Sequence, residues 1–132
     1  MPHFAYAAAF LGLLCIALSL NVSRLRLRYR ISFGDGGHRD LLVASRVHGN
    51  ALEQSLLFLA LLAAAEHLSN APATLLQTLI GGFIAARLMH AVGSFGRHLR
   101  LRQLGHLASV AQQLVLVAVI ALHATLGHAV VS

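Results

Sequence analysis

Four long apolar stretches alternate with short polar segments, each stretch long enough for a transmembrane helix of about 20 residues. They cover residues 4–23, 41–68, 72–95 and 103–130, within one domain spanning residues 1–132. The first is free of charge. The second is interrupted by Glu53, Glu66 and His67, the third by Arg87 and His90, and the fourth by His106, Gln112, Gln113, His123 and His128. Between the first two stretches lies Gly34-Asp35-Gly36-Gly37, which predicts a turn because glycine tolerates positive φ. No strand precedes it and no Gly-Lys-Ser/Thr follows, so it is not a phosphate loop. Asp40 is placed to cap the second helix, and Gly81-Gly82 to let the third pack closely. The pattern predicts an all-α, integral membrane four-helix bundle.

Composition strengthens that reading. Of 132 residues, 58% are hydrophobic and 11% charged, where soluble domains carry about a quarter charged residues. The chain is too apolar for disorder, and one Cys excludes a disulfide scaffold. Cys15, in the middle of the first stretch, reads as a small packing residue.

Charge orients the bundle. The formal charge is +6, with ten Arg and no Lys against Asp35, Asp40, Glu53 and Glu66. Arg24, Arg26, Arg28, Arg30, Arg39 and Arg46 follow the first stretch, and Arg97, Arg100 and Arg102 follow the third. Cations confined to alternate loops suit the cytoplasmic side of a bilayer, not a nucleic-acid surface. Both termini are then expected outside the cytoplasm. The first stretch does not read as a cleaved signal peptide, because its positive charge follows the apolar run.

Polar residues inside spans carry the chemistry, since a charge at mid-bilayer costs about 2.5–3.5 kcal/mol on insertion scales and faces protein or a wet cavity. Arg46, Asn50 and Glu53, spaced by four and three residues, share about 60° of one helix face. Arg87, His90 and Ser94 repeat the arrangement on the third helix, and Arg102, His106, Ser109 and Gln113 on the fourth. If these stripes meet, they form a polar pocket near the arginine-rich end. The cation, amide and carboxylate of the second helix suit a zwitterionic ligand. The nine His show no zinc-helix spacing, so no metal site is expected. An acid-dependent exporter is disfavoured, because the first stretch has no acidic residue.

Arg46-x3-Asn50-x2-Glu53 after the basic first loop, then Arg87-x2-His90 and Arg102-x2-Gly105, resembles the MAPEG family over essentially the whole chain. These are membrane-associated proteins in eicosanoid and glutathione metabolism, and the small bacterial members look closest. The resemblance implies a homotrimer in a bacterial inner membrane, with glutathione as co-substrate in a subunit-interface cleft open to the cytosol. It implies a transferase or peroxidase acting on hydrophobic small-molecule electrophiles arriving from lipid. By the same resemblance Arg46, Asn50, Glu53, Arg87 and His90 hold glutathione, with Ser94 where other members carry a Tyr, and Arg102 activates the thiol. Arg100 exchanges with Arg102 if the register shifts, and Arg24 or Arg26 meets a glutathione carboxylate. Gln54 and Leu56 depart from the aromatic hydroxyl and the proline common in the family. The alternative is a non-catalytic membrane protein whose polar stripe serves trimer assembly or the binding of lipid or a small ligand.

Overall fold

The computed structural model describes residues 2–129, with side chains as far as Thr125. The His128 side chain and the expected end of the fourth span at Val130 lie outside the described residues. Four helices account for nearly all of it: α1 (Pro2–Tyr29), α2 (Arg39–Leu68), α3 (Ala73–Phe95) and α4 (Leu99–Ala129). Each contains a segment apolar and long enough to cross a membrane. Large apolar side chains point outward along them, including Tyr6, Leu13, Leu20, Leu56, Leu107, Leu114 and Leu122. A hydrophobic exterior of this extent suits lipid or a protein partner, not water.

The helices outrun the apolar stretches at the arginine-rich end. α1 continues past Val22 to Tyr29 and closes in a left-handed cap, with Arg30 at φ 55°, Ile31 N–H donating to Arg26 O at 3.0 Å and Arg30 N–H to Leu27 O at 3.3 Å. α3 ends in the same way. Arg97 has φ 59°, His98 N–H donates to Gly93 O at 2.8 Å, and Arg97 N–H to Ser94 O at 3.4 Å. The glycine-rich turn forms where expected, with positive φ at Gly34, Gly36 and Gly37 and Gly37 N–H donating to Asp35 Oδ1 at 2.9 Å.

One capping expectation is corrected. His38 is the N-cap of α2, while Asp40 lies inside the first turn and accepts from its neighbour Leu41 N–H at 2.9 Å. Asp40 also takes the Tyr29 hydroxyl proton donor at 2.6 Å, and the Tyr29 ring stacks on His38 at 3.8 Å. These contacts clip the end of α1 to the start of α2.

At the opposite end, Glu66 near the end of α2 caps α1 from outside it. Its carboxylate accepts from His3 N–H at 3.3 Å and Phe4 N–H at 3.0 Å, satisfying donors that have no partner within their own helix. The negative charge also complements the positive end of the α1 dipole. We expect Glu66→Ala to lower stability by about 1–2 kcal/mol, measured as a fall in thermal midpoint in detergent. An unchanged midpoint would show the cap to be energetically idle.

The helices pair as two hairpins, α1 on α2 and α3 on α4, and the backbones of α1 and α4 do not come close among the described residues. The main core lies towards the Glu66 end, where Phe58 and Phe83 stack at 3.9 Å amid Leu11, Leu62 and Leu116. Cys15 packs beside Leu18, Val47 and Ala51 in a smaller cluster, as a residue of its size and polarity should.

Glycine sets the closeness of α3 and α4. A methyl group on Gly93 would stand 2.5 Å from Arg102 N, and one on Gly105 2.6 Å from His90 N and 2.7 Å from Ala86 O. Each glycine thus faces the other helix's backbone, as small residues do where membrane helices approach closely. Of the Gly81-Gly82 pair, only Gly82 has a neighbour, the Gln112 side chain. Gly81 faces open space, so the close packing expected of the pair belongs to Gly82 together with Gly93 and Gly105.

Candidate functional site

The close α3–α4 contact brings the N-terminal turn of α4 against the last turns of α3, and α2 completes the wall. The result is a cavity of about 360 Å³ lined by Val43, Arg46, Val47, Asn50, His90, Ser94 and Arg102. Three helices contribute, and the three polar stripes do meet. Five residues singled out from the sequence (Arg46, Asn50, His90, Ser94 and Arg102) share this one space. Its size falls within the range of about 300–1,000 Å³ usual for small-molecule sites. The lining carries two guanidiniums and no carboxylate, so it favours an anionic ligand.

Beneath the cavity lies a buried polar network. Arg87 is only 2% exposed, and its guanidinium is divided among three acceptors. Nε–H donates to Ser109 Oγ at 2.9 Å, Nη1 to Asn50 Oδ1 at 2.9 Å and Nη2 to Gly105 O at 3.4 Å. Ser109 Oγ–H donates in turn to Gly105 O at 2.8 Å, and the Phe83 ring lies 5.8 Å from the guanidinium carbon. One turn deeper, Gln113 Nε2 donates to Gln54 O at 3.1 Å, tying α4 to α2.

This network decides which way Asn50 faces. Arginine has no acceptor, so only the amide oxygen of Asn50 can meet it, and the Asn50 NH₂ group is left to face elsewhere. At its base the cavity therefore offers donors, and the matching part of a ligand is an acceptor. Arg87, expected among the ligand-holding residues, is not in the lining: its side chain is sealed between α2, α3 and α4, where it orients Asn50. His90 is 8% exposed and still lines the cavity, its ring 6.3 Å from that of His106. The Ser94 hydroxyl is buried without a hydrogen-bond partner among the described residues.

The remaining candidates lie elsewhere. Glu53 is exposed one turn deeper than Asn50 and is not part of the lining. Of the two arginines that a register shift would exchange, Arg102 lines the cavity, whereas Arg100 is exposed outside it. Arg26 is turned away, donating to Ser32 O at 2.9 Å and Gly34 O at 3.2 Å to brace the first loop. Arg24 belongs to a second, smaller cavity that shares Val43 and Ser94 with the first. Sequence reasoning did not single out Gly93 and Gly105 as the residues that set this site's spacing. A helical pattern shows which face a glycine is on but not which residue of another helix comes opposite.

An all-helical membrane bundle with a cationic polar cavity near its arginine-rich end defines a restricted class of protein. The MAPEG family model matches residues 4–122. The chain is 36% identical over 114 residues to the inner membrane protein YecN of Escherichia coli K12, covering 86% of each chain, and equally so to YecN of strain O6:H1. This chain belongs to the MAPEG family.

Proposed function

We propose that the larger cavity binds glutathione and activates it as a thiolate for transfer to hydrophobic electrophiles or reduction of lipid-soluble peroxides. The observation that carries the reading is the convergence of Arg46, Asn50, His90, Ser94 and Arg102 on one cavity. Glutathione's carboxylates and peptide carbonyls are acceptors, which suits a lining of guanidiniums and an Asn50 that presents its NH₂. The unpartnered Ser94 hydroxyl supplies one further polar contact.

In this reading Arg102 acts on the sulfur. A thiol of pKa about 8.5 is about 3% thiolate at pH 7, and lowering that value by about two units gives about 75%, worth about 2.7 kcal/mol. A guanidinium partly shielded from water supplies stabilisation of that order. It cannot serve as the base, so the thiol proton leaves to solvent. The sulfur lone pair then forms a bond to an electrophilic carbon, either displacing a leaving anion or breaking the π bond of an activated alkene whose carbanion takes a proton from solvent. Alternatively it attacks a peroxide oxygen, releasing an alcohol and leaving a sulfenic acid that a second glutathione converts to the disulfide.

In this reading the cavity faces the cytoplasm, the side that arginine-rich loops favour under the positive-inside rule, and the protein acts as a homotrimer. Glu53 is exposed on the protomer, so its carboxylate is available to the glutathione ammonium across a subunit boundary.

The test is calorimetric titration of glutathione into the detergent-purified protein, with a transferase assay on a small apolar electrophile. Arg46→Ala should weaken binding about tenfold or more, the loss of one charge-assisted contact. Arg102→Ala should retain most of the affinity while losing turnover and the ultraviolet absorbance of the bound thiolate. Undiminished turnover in Arg102→Ala would remove Arg102 from the mechanism. No binding at millimolar glutathione would favour the non-catalytic reading, in which the buried Arg87 network serves packing within the protomer.

A further inference from the structure

The second cavity, of about 210 Å³, lies where the ends of α1 and α3 meet the start of α2. Arg24 and Arg28 enter it from α1, Arg39 from α2 and Arg97 from the α3–α4 turn. Asp40 is the one carboxylate in its lining, and its described bonds are to the Tyr29 hydroxyl and Leu41 N–H. Four arginines against one carboxylate leave the lining net positive, with the Arg24 guanidinium donating to Asn21 Oδ1 at 3.0 Å. The first turn of α2 adds the positive end of its dipole, and His38 at its N-cap makes no side-chain cap bond.

Arg97 also offers a backbone handle on the site. Like Arg30 at the end of α1, it takes the left-handed cap conformation, at φ 59°, in which a glycine would cost less. Unlike Arg30, it lines this cavity. Beside the polar Asn21 and Ser94, the wall has an apolar part made of Leu25, Val43 and Phe95, the last of them 43% exposed. A ring of cations beside an exposed aromatic, at the end of an apolar bundle, matches a ligand that is anionic at one end and hydrocarbon at the other.

We propose that this cavity binds the phosphodiester headgroup of an anionic phospholipid, its acyl chain lying against Phe95. Guanidinium forks suit phosphate oxygens in paired hydrogen bonds, and anionic lipid is drawn to basic segments at the membrane surface. The inference stands apart from the glutathione reading, because Arg28, Arg39 and Arg97 line this cavity and not the larger one.

The experiment measures thermal midpoint and lipid retention in native mass spectrometry for the full chain in neutral detergent. Phosphatidylglycerol, phosphatidylcholine and glycerol 1-phosphate are each added at matched concentration. Phosphatidylglycerol should be retained and raise the midpoint by several degrees, and the other two should not. The double variant Arg28→Gln with Arg39→Gln should weaken phosphatidylglycerol binding by about twenty-five-fold, about fivefold for each charge removed. Arg97→Gly is the sharper control: lipid-free, its midpoint should match or exceed the parent's, because the strain is gone, while its lipid-dependent rise shrinks. Equal stabilisation by phosphatidylcholine, or a full phosphatidylglycerol response in Arg97→Gly and the double variant, overturns the proposal. Stabilisation by glycerol 1-phosphate as strong as by the lipid also overturns it, making this a site for soluble anions.

Discussion

Replacing Arg87 with Ala should unfold the bundle's arginine-rich half, with a loss of about 3–5 kcal/mol read as a large fall in thermal midpoint. The side chain is among the largest that are fully buried. Its removal leaves Asn50 Oδ1 without its donor and opens a cavity between three helices. Arg87→Met separates the two effects. Methionine fills much of the space and brings no buried charge, so the desolvation penalty disappears with the hydrogen bonds. That variant should fold, within about 2 kcal/mol of the parent. Its Asn50, however, is no longer held by its oxygen, and glutathione affinity should fall about tenfold. Arg87→Lys should be less stable than Met, because it keeps a buried charge while an ammonium cannot serve Ser109, Asn50 and Gly105 through a planar fork. If Arg87→Ala melted with the parent, the network would be shown to contribute nothing.

The second large effect is expected at Gly105. A Cβ there meets backbone on two sides, His90 N at 2.6 Å and Ala86 O at 2.7 Å, so no rotamer change can relieve it. α3 and α4 must move apart. Gly105→Ala should cost about 1–3 kcal/mol, in the range of overpacked cores, and Gly105→Leu more. Because His90 and Arg102 flank this contact and line the cavity, even the Ala variant should lose glutathione affinity beyond its loss of stability. Gly81→Ala is the matched control on the same hairpin, since nothing lies within 4 Å of that position. Equal midpoints for the Gly105 and Gly81 variants would refute the close-approach argument.

The contrast between these residues shows what the sequence can and cannot disclose. The helices and the turn at Gly34–Gly37 were legible because each follows from local composition: apolar length for a span, glycine for positive φ. The meeting of Arg46, Asn50, His90, Ser94 and Arg102 was legible as shared faces, since helical periodicity places residues three and four apart together. Arg87 has the same periodicity as His90, one turn away, yet it is sealed while His90 reaches the cavity. That outcome depends on Asn50, Ser109 and Gly105 O arriving from other helices. Glu66 is a similar case: an acid within an apolar run reads as an interruption until its distant partners His3 and Phe4 are seen. Helix ends were less legible than spans, because α1 runs on through Arg24–Tyr29 on helix propensity and its cap, beyond any hydropathy signal.

The pairing of helices as α1 with α2 and α3 with α4 has a mechanical consequence. Arg46 and Asn50 belong to the first hairpin, and His90, Ser94 and Arg102 to the second. Whatever occupies the larger cavity therefore spans a seam and acts as a clasp across it. Occupancy adds to the cohesion that the Arg87–Asn50 and Gln113–Gln54 bonds already give, so the extra force or heat needed to part the hairpins reports on the ligand. Resistance to separation can rank candidate molecules before any reaction product has been identified.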